Sequence, residues 1–396
     1  MTARISTGLD ACVADRFAAL RGLRVGVIAN PTSVDHSMRH VADHLRAAAG
    51  VTLAALFGPE HGIRADVQDM IGIASDLDPR TGVPVHTLYG PDFASLSPSE
   101  EQLEGLDALV FDVQDVGSRY YTFAATMLYS MQAAAAQGLR FFVLDRPNPI
   151  GGEAVEGPTI RPGYSSFVGP HPVPIRHGMT VGELARMFRA ECPIDLDLTV
   201  VPCGGWSRPM LWAETGLPWV LPSPNMPTPE TALVYPGGCL IEGTNLSEGR
   251  GTTRPFELWG APWLEPDALA EPAPWTAGAL PRPCAFRPTF HKFAGQTCQG
   301  VQPHVDDPSA FAPVWFYTAM IAAARAQRPD LFDWRRESYE FVADPIAIDL
   351  LYGSDRERLL IDSGPTPGDL SDLRALWATD EADFRSRRAP FLLYDA

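Results

Sequence analysis

The sequence predicts an α/β fold: a Rossmann-like parallel sheet domain, then a smaller α+β C-terminal domain, with the active-site cleft between them. Three observations predict it. Apolar runs of strand length alternate with helical patterns over the first 150 residues, as in βαβ units. Each run breaks at its end into polar residues and turn formers, as strands do at the carboxyl edge of an open parallel sheet. A chain of 396 residues also exceeds what one ordinary core encloses, so two domains are expected.

The first strand is RVGVIANP (24–31). In residues 34–49, Val34, Met38, Val41 and Leu45 recur near helical period, with Ser33 and Asp35 suited to a helix start and Gly50 to its end. The second strand is LAALFGPEHG (53–62). Residues 63–105 read as an insertion reaching over the strand edge, with a short strand VPVHTLY and a helix cap at 97–99. ALVFDVQDVGSRYYT (108–122) supplies the next strand, an alanine-rich helix runs to Gly138, and FFVLDRPNP (141–149) closes the second unit.

Residues 151–230 are rich in glycine and proline, with one helix over 180–190 capped as T-VGEL and a strand LTVVPC. The proline-dense run LPWVLPSPNMPTPETALVYPGG is a rigid crossing, because proline fixes φ and removes a donor. The boundary falls near its middle, giving domains 1–228 and 229–396. Beyond it, CAFRPTFHKF and GVQPHV are strand-like and residues 312–328 helical.

Composition excludes several classes. With 31 basic and 48 acidic residues the formal charge is −17, which argues against nucleic acid or an anionic membrane as partner. Six scattered cysteines without a CxxC pair point to free thiols, and no cofactor or metal is expected. There is no apolar run of membrane-spanning length and no signal-peptide pattern. As written the chain reads as cytoplasmic, or as periplasmic or secreted if a leader is missing; its oligomeric state is open.

Candidate chemistry gathers at the strand ends. GPEHG sets Glu60 and His61 on a turn directly after a strand. Glu60 suits a general acid, for which an apolar surround would favour the protonated form; the plainer reading is a solvated turn. Asn30 ends the first strand. Asp115, beyond Asp112, ends the third, and Arg119 and Tyr120 open the following helix; there Asp115 either lines a cleft or caps that helix beside Arg119. Asp145 and Asn148 end the fourth strand, with Glu156 on the same loop. His177 either caps the helix at Thr180 or lines the site. In EGTNLSEGRGTTRPFE, Glu242, Asn245, Glu248, Arg250 and Arg254 crowd a glycine-rich loop with neither a G-K-[ST] nor a G-x-G-x-x-G pattern. Five tryptophans, Trp206, Trp212, Trp219, Trp259 and Trp263, surround the crossing as packing or as a sugar-stacking face.

Taken in order, GPEHG, FDVQDVGSRYYT, LDRPNPIGG, VEGP, RHGMTVGELA, PSPNMPT and EGTNLSEGRGTTRPFE resemble the exo-β-N-acetylmuramidase family of the NamZ type. The resemblance runs from about Gly22 to the C-terminus. It implies a Rossmann-like domain without a dinucleotide, and hydrolysis of a terminal, non-reducing N-acetylmuramic acid from peptidoglycan-derived saccharides. The resemblance agrees with the site read from the residues, with Glu60 of GPEHG as the candidate general acid. For the second carboxylate Asp115 comes first, then Glu156, Glu242 or Glu248, and the substrate's acetamido oxygen is a third possibility. Asn225 of PSPNMPT joins the binding residues. The lactyl carboxylate of the sugar calls for an arginine, drawn from Arg64, Arg119, Arg176, Arg250 or Arg254. Two other classes stay open: a metal-dependent hydrolase using His61, Asp115 and Asp145, and a non-catalytic amino-sugar-binding protein.

Overall fold

The structure, a computed structural model, describes residues 5–63, 76–364 and 370–395. Seven strands form one sheet in the spatial order β3-β4-β2-β1-β5-β6-β7. They are β1 (Arg24–Ala29), β2 (Thr52–Gly58), β3 (Asp76–Leu77), β4 (Pro84–Thr87), β5 (Ala108–Asp112), β6 (Arg140–Leu144) and β7 (Leu198–Val201). All neighbours pair in parallel except β3 with β4. This is the parallel α/β sheet that the apolar runs predicted.

The central strands β1 and β5 are buried on both faces, which is why they read as continuous apolar runs rather than alternating ones. Val25, Val27 and Val110 face one apolar cluster, shared with Leu9 and Leu45 of the helices Gly8–Ala14 and Val41–Ala47. Ile28, Leu109 and Phe111 face the other, shared with Met127 and Leu184 of the helices Phe123–Ala136 and Val181–Glu191. Gly26 is required by close packing: a Cβ there would stand 2.7 Å from the Phe57 ring.

A second sheet of three antiparallel strands, β8 (Trp259–Ala261), β9 (Ala279–Phe286) and β10 (Cys298–Val305), has the order β8-β10-β9. It sits beside the helices Pro229–Gly238 and Pro313–Gln327, which cross so closely that a Cβ on Gly237 would meet the Pro313 carbonyl. The larger apolar cluster continues from Phe111 and Tyr120 through Tyr235 and Phe256 to Trp259 and Tyr317, so both sheets share one core.

Some expectations change. The helix predicted over 34–49 begins only at Val41, because the Asp35 carboxylate accepts from the backbone N–H groups of Ser37 and Arg39, each at 2.9 Å. That local turn competes with helix, and His40 caps the shortened one. Within residues 63–105, the expected short strand is present as β4 and extends the sheet beside β2; Arg64 and its neighbours to residue 75 lie outside the described residues. PETALVYPGG is a helix, started by Thr228 as cap and Pro229 in the first turn. The tryptophans separate: Trp206 packs on Tyr394, Trp212 on Trp219, and Trp259 near Tyr317.

The crossing before Thr228 lies over the ends of the central strands. Asn30 Nδ2 donates to the Pro222 carbonyl at 3.3 Å. Thr32, Gln114 and Arg146 share a small cavity with Trp212, Leu217, Pro218 and Val220. All six cysteines are free, and among the described residues no helix is long and apolar enough to cross a membrane.

Glu156 is buried at the first turn of the helix Pro313–Gln327, where its Oε1 accepts from the Trp315 N–H at 2.8 Å. Burial pushes its carboxyl up to about 7, against the Trp315 bond and the Arg176 and Arg374 charges. The folded state therefore holds a proton that the unfolded chain, near 4.5, releases. Stability from this group is full below about pH 4.5 and is lost as pH rises towards 7. We expect Glu156→Gln to flatten that decline, by on the order of 3 kcal/mol across the window. Urea unfolding of both proteins at pH 5 and 7.5 checks it; parallel pH profiles would contradict it.

Candidate active site

The cleft opens at the carboxyl end of β2. Past Gly58 the chain turns through Pro59–Gly62, with the Gly62 N–H bonded to the Pro59 carbonyl at 2.8 Å. His61 and Gly62 both take positive φ, 71° and 77°. This reversal sets Glu60 and His61 on the cleft wall. Glu60 is 8% exposed, and Thr122 donates its hydroxyl to Glu60 Oε2 at 2.7 Å. Thr122 occupies the cap position of the helix Phe123–Ala136 without capping it; its hydroxyl serves the glutamate instead. The turn after β2 is thus tied to the start of the helix Phe123–Ala136 across the site.

The facing wall comes from beyond residue 220. Ser223, Asn225 and Met226 line it from the proline-rich crossing, and Tyr235, Glu242, Arg250 and Phe256 from the helix and loop that follow. That loop is stitched to the second sheet by reciprocal Ser247–Gly260 backbone bonds of 2.8 and 2.9 Å. Gly249 and Gly251, both at φ 80°, let it approach the Leu258 carbonyl and the Phe290 backbone where a Cβ would collide.

Charge organises this wall. Glu248 is fully buried and meets His291 at 2.9 Å, Lys292 at 3.0 Å and Arg250 at 3.5 Å. Burial alone would raise its carboxyl; Lys292, with His291 and Arg250, outweighs burial and holds it well below the usual carboxylate range. Arg250 also reaches Glu242 Oε1 from two nitrogens, at 2.6 and 3.1 Å, while Tyr339 donates to Glu242 Oε2 at 2.7 Å. Tyr121, Tyr235 and Phe256 form an edge-to-face aromatic floor, and Arg250 lies over the Phe256 ring at 5.2 Å.

His291, Arg335, Tyr339 and Glu340 complete the lining. Glu340 and Phe341 occupy a tight turn closed by reciprocal Tyr339–Val342 bonds, with positive φ of 45° and 69°. Such backbone costs roughly 1–3 kcal/mol per residue. Tyr89 anchors the turn, donating its hydroxyl to Glu340 at 3.0 Å and meeting the Phe341 ring edge-on at 5.7 Å.

Of the residues singled out in the sequence, Glu60, His61, Tyr120, Asn225, Glu242 and Arg250 meet here. Tyr120 does so as a buried wall, donating its hydroxyl to the Pro236 carbonyl. Glu248 stands behind the wall as its anchor. The others lie elsewhere, committed to the chain itself. Asn30 binds Pro222, and its Oδ1 accepts from Thr32. Asp115 accepts from the Gly117 N–H and faces His177 Nε2 at 3.7 Å; burial pushes Asp115 up to about 7 and His177 down to about 3. His177 also accepts from the Met179 N–H just before the helix at Thr180, close to the capping alternative. Arg119 donates to the carbonyls of Pro158, Val173 and Leu351, and Arg176 to that of Ile150. Asp145 accepts from Thr180, Gly182 and Tyr394, and Asn148 donates to Met179. Glu156 caps a helix start, Asn245 bonds Asp333 and Leu331, and Arg254 pairs with Glu257 on another groove. No tryptophan stands among the described lining residues.

His61, Asp115 and Asp145, the metal-site alternative, are not brought together. Among the described residues, the one group with ligand atoms within 4.8 Å of one another is Asp10, Asp35 and His36, remote in sequence from the cleft walls.

Carboxylates, hydrogen-bond donors and aromatic rings thus gather at a parallel-strand rim of an α/β fold, and the family match below makes the protein a glycosidase. The chain belongs to the exo-β-N-acetylmuramidase NamZ family, whose N-terminal model matches residues 25–230 and C-terminal model residues 233–394. It is 43% identical over 393 residues to the peptidoglycan β-N-acetylmuramidase NamZ of Bacillus subtilis (strain 168), covering 99% of this chain and 92% of that protein. Two DUF1343 family proteins of Bacteroides fragilis NCTC 9343 superpose with TM-scores of 0.88 and 0.76, at 35% and 30% identity. Each match covers 99% of both chains.

Removing the Glu248 charge leaves Lys292 and His291 without their buried counter-ion and Arg250 with Glu242. Glu248→Gln is expected to cost about 3 kcal/mol or more in denaturant unfolding. A loss below about 1 kcal/mol would show that the cluster is dispensable.

Proposed function

We propose that this chain hydrolyses the glycosidic bond of a terminal, non-reducing N-acetylmuramic acid in peptidoglycan-derived saccharides, with Glu60 as proton donor. Membership of the muramidase family supports the reaction, and the placement of Glu60 carries the residue assignment. Glu60 is nearly withdrawn from water, its carboxyl plane is set by Thr122, and it faces the loop that carries Glu242 and Arg250. A carboxyl so held can protonate the leaving oxygen as the bond breaks.

Glu242 is the second carboxylate in this reading. Arg250 and Tyr339 fix both of its oxygens, so it presents a positioned negative charge to the oxocarbenium-like transition state. His61 and Asn225 bind sugar hydroxyls or the acetamido group from either wall. Asp115 and Glu156 fall out of this role because both are turned to backbone donors away from the lining.

The test is release of N-acetylmuramic acid from a chromogenic muramide. Glu60→Gln should lower kcat by roughly 10²–10⁴-fold while the product still binds. Glu242→Gln should lower kcat by roughly 10²-fold with a smaller effect on KM. Wild-type turnover in Glu60→Gln would remove the assignment. Exhaustive dialysis against EDTA should leave turnover unchanged; its loss would revive the metal-dependent reading.

A further inference from the structure

We propose that Arg335 recognises the lactyl carboxylate of the substrate, an inference that rests on the muramidase reading above. Glu242 and Glu340 line the cleft and Arg250 is already paired with Glu242, so an anionic sugar needs a further cation there to meet its carboxylate.

Among the described residues, most of the candidate cations are already matched. Arg119 and Arg176 donate to buried carbonyls away from the cleft, and Arg254 pairs with Glu257 on another groove. Arg250 lines the cleft but sits against Glu242 at 2.6 Å and Glu248 at 3.5 Å. Lys292 Nζ donates to the carbonyls of Ile241, Glu242 and Leu246 as well as to Glu248.

Arg335 differs in both stem and head. Its backbone is rigidly placed: the N–H donates to the Gly243 carbonyl at 2.9 Å, beside the Thr244–Trp334 bridge and the reciprocal Asn245–Asp333 bonds. Its guanidinium is loosely matched. The ion partner is Glu337 at 4.0 Å, whose side chain is 81% exposed and well screened, and the bond to the Ser338 carbonyl is 3.5 Å long. The head lies over the Tyr339 ring at 5.1 Å. A planar fork held at its base and weakly paired at its tip is suited to two parallel bonds with a carboxylate. Tyr339 also bonds Glu242, so one ring fixes the spacing between the specificity cation and the second carboxylate.

The experiment compares a chromogenic N-acetylmuramide with the N-acetylglucosaminide bearing the same leaving group. Arg335→Ala should lower kcat/KM for the muramide by roughly 10–100-fold, chiefly through KM, and leave the glucosaminide within about twofold. Arg335→Lys should fall between, since it keeps the charge and loses the fork. A muramide with its lactyl carboxyl amidated should drop wild type to the level of Arg335→Ala and cost that variant nothing further. Equal losses on both sugars, or a preference for the muramide retained in Arg335→Ala, would overturn the proposal. Titration of free N-acetylmuramic acid and N-acetylglucosamine reads the same discrimination without turnover, and Arg335→Lys serves it if the alanine variant does not fold. A wild type that hydrolyses no muramide defeats the hydrolase reading, while the titration still decides Arg335: lost discrimination in the variants supports it, and retained discrimination, or none in wild type, overturns it.

Discussion

Glu248 has no solvent-accessible surface, so its charge must be met inside the protein, and the way it is met shapes the far wall of the cleft. Lys292 and His291 approach from one loop and Arg250 from another, and the three fix where those loops run. Arg250, held from behind, extends to Glu242; Glu242, held by Arg250, receives Tyr339. Each group in the chain is oriented by the one before it. A carboxylate that never touches solvent thereby positions one that faces the cleft, as supporting hydrogen bonds do in preorganised sites.

The near wall is built by a different device. Parallel strands deliver their polar ends to one rim, and the turn after β2 reverses the chain sharply enough to aim Glu60 inward. The Thr122 hydroxyl then locks that carboxyl from the start of the helix Phe123–Ala136. The two walls are kept in register by a common apolar core running from Phe111 to Tyr317, and by Tyr89, which grips the strained turn at Glu340 and Phe341. Strain at that turn is tolerable because both of its side chains are anchored on the opposite wall.

Much of this was legible in the residues. Strand runs, the Thr180 capping box and the glycine-bracketed Glu60 turn are local features, and local features write themselves into short stretches of sequence. The loop from Glu242 to Arg254 announced itself by polar density. What sequence could not divide was polar residues that face a ligand from those that serve the backbone. Asp115, Asp145, Asn148, Glu156 and Arg119 are all buried, and each satisfies main-chain groups that would otherwise go unpaired. Their chemistry is what a binding residue would show. Tyr121 and Thr122 follow Arg119 and Tyr120 directly, with nothing local to mark them as lining residues. Arg335, Tyr339 and Glu340 carried no signal at all, because tertiary pairing of 243–245 with 333–335 brings them in from far along the chain.

The proline-rich crossing has a consequence for what this sheet can host. Strand order reverses between β1 and β5, and in doubly wound proteins that gap is where a nucleotide enters. Here Pro222 is bonded to Asn30, and Trp212, Leu217 and Val220 stand over Thr32 and Gln114, so the polypeptide itself occupies the berth. The open cleft lies one strand over, at the end of β2. The same architecture that elsewhere shuttles hydride is committed, by a few stiff residues, to handling a sugar.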